Sequence, residues 1–312
     1  MQYRTLGATG VKVSALAYGG SSLGSAFRDI DEAEGIRSVH TALDHGINLI
    51  DTAPYYGATK AETVLGKALK GVARDRYILA TKVARYGPNI ADFDFSAERV
   101  IRSVDESLAR IGVDYIDFIQ VHDMEFGDID QIVNETIPAL RRVQATGKVR
   151  FVGISCLPIH LYKAVMDRVA VDQIQSYCHY CLNDTALTGI LPYLKAKNVG
   201  IFNSAPLAMR LLSNEGPPAW HPAPATLRAK CAEAAALCKA RGADLGKLAL
   251  QYSMANPDLH THIVGTASPK RVLENLADAA APLDQALLAE VLAILAPVHN
   301  QTWPSGRPEN NL

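Results

Sequence analysis

A closed barrel of eight parallel strands, each followed by a helix, is the fold this 312-residue sequence predicts. Three observations predict it. Short apolar runs alternate with longer amphipathic stretches almost from end to end. The runs are apolar throughout, as strands covered on both faces must be. Eight such units also fit a (β/α)8 barrel, which occupies about 250 residues. The competing open, doubly wound sheet carries GxGxxG after its first strand, and Gly19-Gly20-Ser21-Ser22-Leu23-Gly24 lacks that spacing.

The runs that read as strands are residues 14–18, 48–51, 77–81, 115–121, 149–155, 171–176, 200–204 and 261–265. Between and after them, apolar positions at helical spacing predict helices over 31–45, 62–69, 97–111, 129–146, 159–168, 186–197, 226–255 (broken near Gly242), 269–279 and 284–295. Asp31, Ser96 and Asp244 stand where N-caps belong. His45-Gly46, Thr146-Gly147 and Asn198-Val199-Gly200 each end a helix just before a strand, as a left-handed glycine does. The segment Thr5-Leu6-Gly7-Ala8-Thr9-Gly10 reads as a hairpin that plugs the N-terminal mouth, and the C-terminal tail as a loop over the other mouth. The whole chain, 1–312, reads as one domain.

Composition narrows the class. There are 31 Lys and Arg against 32 Asp and Glu, so the formal charge is −1, and no electrostatic argument favours nucleic acid or an anionic membrane. No apolar run reaches the roughly 20 residues that span a bilayer, and the start, Met1-Gln2-Tyr3-Arg4, lacks a signal-peptide core. Five cysteines, an odd number, read as reduced thiols in a cytoplasmic protein. Cys178-x-x-Cys181 has neither a second CxxC nor paired histidines to complete a zinc site, so no metal is expected. The oligomeric state is not legible.

In such barrels the chemistry lies at the C-terminal ends of the strands. Asp51-Thr52-Ala53-Pro54-Tyr55-Tyr56 follows the second strand, Thr81-Lys82 the third and Gln120-Val121-His122-Asp123 the fourth. An acid, a phenol, an amine and an imidazole therefore converge on one mouth. A phenol of pKa about 10 carries protons poorly at neutral pH. An adjacent ammonium lowers that value, a carboxylate keeps the ammonium charged, and an imidazole orients a substrate oxygen.

With Asp51-Thr-Ala-x-x-Tyr56, Lys82 and His122 the chain resembles the aldo-keto reductases. The segments Phe93-Asp-Phe-Ser-Ala-Glu-Arg-Val100, His122-Asp-Met-Glu-Phe-Gly127, Ser176-Tyr-Cys-His-Tyr-Cys-Leu-Asn-Asp184, Tyr193-Leu-Lys195, Pro217-Pro-Ala-Trp-His-Pro222 and Thr302-Trp-Pro-Ser-Gly306 narrow the likeness to members that oxidise aldoses at C1. The resemblance runs from about Tyr3 to about Gly306. It implies a nicotinamide dinucleotide bound without a Rossmann domain, and a catalytic tetrad of Asp51, Tyr56, Lys82 and His122. Tyr56 is then the general acid or base, Lys82 lowers its pKa, Asp51 holds Lys82 and His122 orients the substrate oxygen. Tyr55 is out of register and reads as pocket wall.

The same resemblance assigns cofactor contacts to Gly20 and Ser21, to Ser155, to Gln175 (or Gln173) and Tyr177, and to Ser204, Pro206 and Leu207 under the pyrophosphate. Gly265, Thr266, Arg271 and Asn275 take the adenosine end. This chain departs from the family pattern at four places: Cys156 replaces an asparagine, Ser204 a stacking tyrosine, Arg210 a glycine, and Gly265 a lysine that pairs with the 2′-phosphate of NADPH. With Arg271, or Lys270, left to hold that phosphate, NAD is expected, with NADP as the other possibility. Asp123, His179, Tyr180 and Trp303 offer donors, acceptors and an aromatic face to a polyhydroxylated ring, Trp303 either stacking on sugar or packing the terminus.

The expected reaction is oxidation of an aldose, L-galactose or a neighbour such as L-fucose, to its lactone. The competing expectations are an NADPH-dependent carbonyl reductase and a non-catalytic cofactor-sensing subunit, since a fold alone does not decide catalysis.

Overall fold

The computed structural model describes residues 1–25 and 29–311. It opens on a hairpin of β1 (Tyr3–Thr5) and β2 (Lys12–Ser14). Eight parallel strands follow: β3 (Leu16–Gly19), β4 (Leu49–Asp51), β5 (Ile78–Val83), β6 (Ile116–Val121), β7 (Val149–Cys156), β8 (Gln173–Tyr177), β9 (Gly200–Ser204) and β10 (Thr261–Gly265). They form a closed barrel in sequence order, with β10 returning to β3 through Gly265 opposite Gly19. All eight expected strands are present. β5 extends two residues beyond its expected end, so Lys82 lies within the strand, opposite Gln120, rather than after it.

Alternation along each strand builds two cores. One set, including Ala17, Leu49, Ala80, Phe118, Phe202 and Ile263, fills the barrel. Phe118 stacks on Phe151 with ring centroids 5.0 Å apart and meets the edge of Phe202 at 5.5 Å. The other set, with Leu16, Ile50, Leu79, Ile119 and Ile154, packs against the helices. The hairpin closes the N-terminal end: Leu6 is fully buried among the inward residues. This leaves the opposite mouth for side chains that are polar.

The expected N-caps hold, with Asp31, Ser96 and Asp244 accepting from the backbone N–H groups of Glu34, Arg99 and Lys247. Gly46 and Gly147 take the left-handed conformation at φ 86° and 83°. At the third such stop the left-handed residue is Asn198, at φ 51°, and not Gly200. Gly200 serves the plug instead, since a Cβ there would sit 2.6 Å from Leu6 Cγ. The helix expected over 129–146 contains a wide turn, Ile132–Thr136, between Ile129–Gln131 and Ile137–Ala145. Pro138 follows it immediately, and its missing N–H removes one regular helical bond. The helix expected over 186–197 starts as a 3-10 segment, Ala186–Ile190, and becomes α-helical only at Leu191–Ala196, with Pro192 in its first turn. No single helix among the described residues is long and apolar enough to cross a membrane.

Candidate active site

Asp51 ends β4 and Lys82 lies near the end of β5, so neighbouring parallel strands deliver both to the same mouth. Lys82 Nζ donates to Asp51 Oδ1 (2.8 Å), Asp51 Oδ2 (2.7 Å) and the Thr52 carbonyl (2.8 Å). These bonds use all three hydrogens of an ammonium. The pair is almost wholly buried, Lys82 at 1% and Asp51 at 2% exposure. Gln120 Nε2 and Gln175 Nε2 each donate to one Asp51 oxygen at 3.3 Å, closing the shell around the carboxylate. Lys82 Nζ lies 5.1 Å from the centroid of the Tyr56 ring. The edge of His122, just past β6, meets Tyr56 at 5.8 Å and 86°. The structure brings these four side chains together at one mouth.

The electrostatics differ from the expectation for the phenol. The Tyr56 pKa is held well above its ordinary value by burial first, then by Asp51 and Asp123, with Arg85 opposing. Lys82 has spent its donors on Asp51 and Thr52, so its ammonium has no hydrogen left for the phenol oxygen. His122 is pushed down to about 3, chiefly by burial and further by Lys82 and Arg85, against the pull of Asp123. At neutral pH it is an uncharged imidazole. Its Nδ1 is buried and has no hydrogen-bond partner among the described residues.

The far side of the mouth is built from β7 to β10 and β3. Ser155 on β7 lies opposite Gln175 on β8, and Tyr177 on β8 lies opposite Ser204 on β9. Gln175 Oε1 and Ser204 Oγ are buried with no partner among the described residues. After β9 the loop turns through Ala205, Ala208, Met209 and Arg210, all at positive φ, and through Pro206 and Leu207. Arg210, at φ 74°, occupies a conformation that a glycine takes without strain. Next to it in the barrel, a Cβ on Gly265 would lie 3.0 Å from Ser21 Oγ, and a Cβ on Gly20 would lie 3.0 Å from the Asp51 carbonyl. Backbone lines this edge closely.

Residues 15–296 match the Aldo/keto reductase family. The chain belongs to that family. It is 50% identical to L-galactose dehydrogenase of Arabidopsis thaliana, with 99% of each chain covered. To D-threo-aldose 1-dehydrogenase of a Pseudomonas species it is 28% identical, over 91% of this chain and 94% of that one. An aldo-keto reductase from Bacillus halodurans, solved in its holo form, superposes with a TM-score of 0.79 at 29% identity, covering both chains fully.

As an oxidoreductase of the aldo/keto reductase family the chain uses a nicotinamide dinucleotide. Its residues fit that group. A carboxamide needs both acceptors and hydroxyls, and the unpartnered Gln175 Oε1 and Ser204 Oγ lie where β8 and β9 reach the mouth.

Not every expected contact converges. Tyr180 turns its ring onto Tyr252 of the Leu245–Met254 helix, 5.7 Å away and nearly parallel, so its aromatic face is already covered. His179 pairs through Nδ1 with Asp184 Oδ2 at 3.1 Å. Trp303 is buried against His221, 5.2 Å between rings, in a cluster with Leu157, Ala208 and Leu211. That is a packed terminus. Arg271 and Lys270 both reach Glu274, at 3.2 and 3.7 Å, on the helix Pro269–Ala280 that follows Thr266 and carries Asn275.

Sequence reasoning missed two charged residues. Arg85, three positions after Lys82, pairs with Asp123 at 2.5 Å. Glu125 is fully buried and pushed up to about 8, mainly by burial and then by Asp123. Its Oε1 accepts from Tyr177 (3.2 Å) and from Ser305 (2.8 Å), and its carbonyl from the Arg307 N–H (2.9 Å), tying the C-terminal tail across the mouth. A charge three residues past a catalytic strand position was the available signal for Arg85. For Glu125 there was none, since its partners lie 52 and 180 residues away in sequence.

Proposed function

We propose that the protein is an NAD-dependent aldose 1-dehydrogenase that oxidises L-galactose, or a close stereochemical neighbour such as L-fucose, at C1 to the lactone. One observation carries the reading: a buried Lys82–Asp51 pair lies under Tyr56 and beside His122, in a chain half identical, end to end, to an L-galactose dehydrogenase. A nicotinamide held at this mouth would supply the acceptor for the C1 hydride. Tyr56, once its own phenol proton has passed to solvent, accepts the proton of the anomeric hydroxyl at Oη, and the electron pair of that O–H bond becomes the second C–O bond of the lactone carbonyl. Neutral His122 donates a hydrogen bond to the same oxygen and fixes its position. Asp51 anchors Lys82, whose charge beside the ring favours the departing proton's negative partner. The products are lactone, reduced cofactor and one proton.

The cofactor choice rests on Gly265, which brings no cation to a 2′-phosphate, and on Lys270 and Arg271, which both pair with the one carboxylate of Glu274. All five cysteines are buried and unbridged, which supports the reading of a protein of a reducing compartment, the cytoplasm. Asp123 stands beside His122, 3.7 Å from its Nε2, and is the nearest candidate for sugar hydroxyls.

A second reading, carbonyl reduction with NADPH, is favoured by one feature: the raised Tyr56 pKa suits a proton donor. Initial rates with a panel of aldoses and NAD+ or NADP+, together with the reverse reaction on simple aldehydes, test both. The expected result is L-galactose oxidation with NAD+ as the better cofactor by kcat/KM. Turnover confined to aldehydes with NADPH overturns the first reading in favour of the second.

A further inference from the structure

Arg85 is held in place from all sides. At the end of β5, Ala84 takes φ 80°, a left-handed turn that costs a non-glycine residue of order 1 kcal/mol. The turn sends the chain sideways across the mouth, and Arg85 then pairs by a backbone bridge with Phe93. Three rings box its guanidinium. Tyr55 lies 3.6 Å below its Cζ, and Phe93 and Phe126, stacked on each other at 4.4 Å, lie at 5.2 and 5.8 Å. A guanidinium plane stacked in this way has little rotational freedom left to lose. This gives a role to Phe93 and Phe126, aromatic residues of two of the distinctive loop segments that stand outside the tetrad.

The box points the group at the site. Arg85 Nη1 donates to Asp123 Oδ2 (2.5 Å), and the same oxygen lies 3.7 Å from His122 Nε2. Tyr55, the floor of the box, is itself 6.0 Å from His122 and 5.9 Å from Tyr56 between ring centroids. Asp123 adopts φ 49°, so both members of the pair follow strained backbone. Arg85 Nε is buried and has no hydrogen-bond partner among the described residues. If the guanidinium served only to neutralise Asp123, it would need no such orientation and would leave no donor unspent.

We propose that Arg85 is a specificity-determining residue, a clamp for a sugar hydroxyl remote from C1. Its donors and the Asp123 carboxylate form an adjacent donor–acceptor pair, the complement of two neighbouring hydroxyls on a pyranose ring. A substrate without those hydroxyls leaves the pair unanswered. The inference rests on the aldose-oxidising reading above and adds to it the residue that discriminates among polyhydroxylated substrates.

The test compares L-galactose with its monodeoxy analogues at C2, C3, C4 and C6 in the wild type, Arg85→Met and Arg85→Lys. Melting temperature and dinucleotide affinity serve as controls for folding. A hydrogen bond from a charged donor sets the expected scale at about 10- to 100-fold in kcat/KM. The wild type loses that factor on at least one analogue. Arg85→Met loses it on the parent sugar and no longer separates the two, whereas its loss on an aldehyde without hydroxyls in the reverse direction is markedly smaller. Arg85→Lys, which keeps the charge in the box, recovers part of the discrimination. The clamp is overturned if Arg85→Met keeps the wild-type ratios, or if it slows every substrate equally, because that pattern belongs to a residue acting only through His122. A wild type that oxidises no aldose overturns the functional reading and the clamp together, so the two failures are told apart. Should Arg85→Met not fold, the ratios of Arg85→Lys decide: unchanged discrimination overturns the clamp.

Discussion

The two sides of the barrel mouth are finished to different degrees. On the β4–β6 side the Lys82–Asp51 ion pair is closed, the Lys82 ammonium has no hydrogen left to offer, and Gln120 Nε2 donates to Asp51, while Gln120 Oε1 and His122 Nδ1 have no partner among the described residues. On the β8–β10 side buried oxygens of Gln175 and Ser204 go unanswered among the described residues, and Gly265 brings no side chain. Buried polar atoms ordinarily find partners, and exceptions cost about 1–3 kcal/mol each. The contrast teaches which half is machinery and which half is a socket. The first half keeps its ion pair closed, with Gln175 reaching across to Asp51. The second records in its unsatisfied atoms the outline of what it accepts.

Substitutions on the finished side break this comparison most sharply. Tyr56→Phe is expected to lower kcat by about 10^3-fold, within the range for losing a general acid or base, while dinucleotide affinity, measured by fluorescence titration, stays within a few-fold. Lys82→Met strands the Asp51 carboxylate in the core, and removing one partner of a buried pair costs about 3–5 kcal/mol. Chemical denaturation should register that loss along with the loss of turnover. On the socket side, Gln175→Leu should raise the KM for the dinucleotide about tenfold and leave the sugar KM nearly unchanged. An equal rise in both would erase the distinction between the two halves. Gly265→Lys should move the NADP/NAD ratio of kcat/KM upward by a few-fold, on the scale of one partly exposed ion pair.

Acid titration sharpens the contrast from another direction. His122 and His262 both sit at about 3 when folded, driven down mainly by burial. The unfolded chain therefore binds protons that the folded chain refuses, and these two residues remove stability as pH falls from their ordinary 6.5 toward 3. Melting temperature followed over that interval should fall, and His122→Gln should flatten the slope. In the opposite direction, the raised Tyr56 pKa makes the oxidative kcat climb with pH through the neutral range and beyond, with no limb from His122 between pH 5 and 8.

Much of this was legible in the residues. Barrel strands announce themselves because burial on both faces demands unbroken apolar runs, and all eight expected runs became strands. Asp51, Tyr56, Lys82 and His122 were legible because strand ends in a parallel barrel must share one mouth. What escaped was contact between distant segments. Nothing local in Tyr180 foretells that Tyr252 will cover it, and nothing in Trp303 says that His221 and Leu211 will bury it. Gly200 was read as a helix stop because glycine commonly is one; the bulk of Leu6, nearly two hundred residues earlier, decided its role instead. The phenol's raised pKa belongs to the same class, since burial is a property of the assembled mouth.

Glu125 carries a practical lesson for handling the molecule. Ser305, Arg307 and Asn310 all fasten to it, so the final stretch of polypeptide is wired to the turn that bears His122 and Asp123. A purification handle or fluorophore appended at that terminus is a perturbation of the reaction chamber, whereas the same appendage at Met1 lies on the hairpin that seals the opposite end.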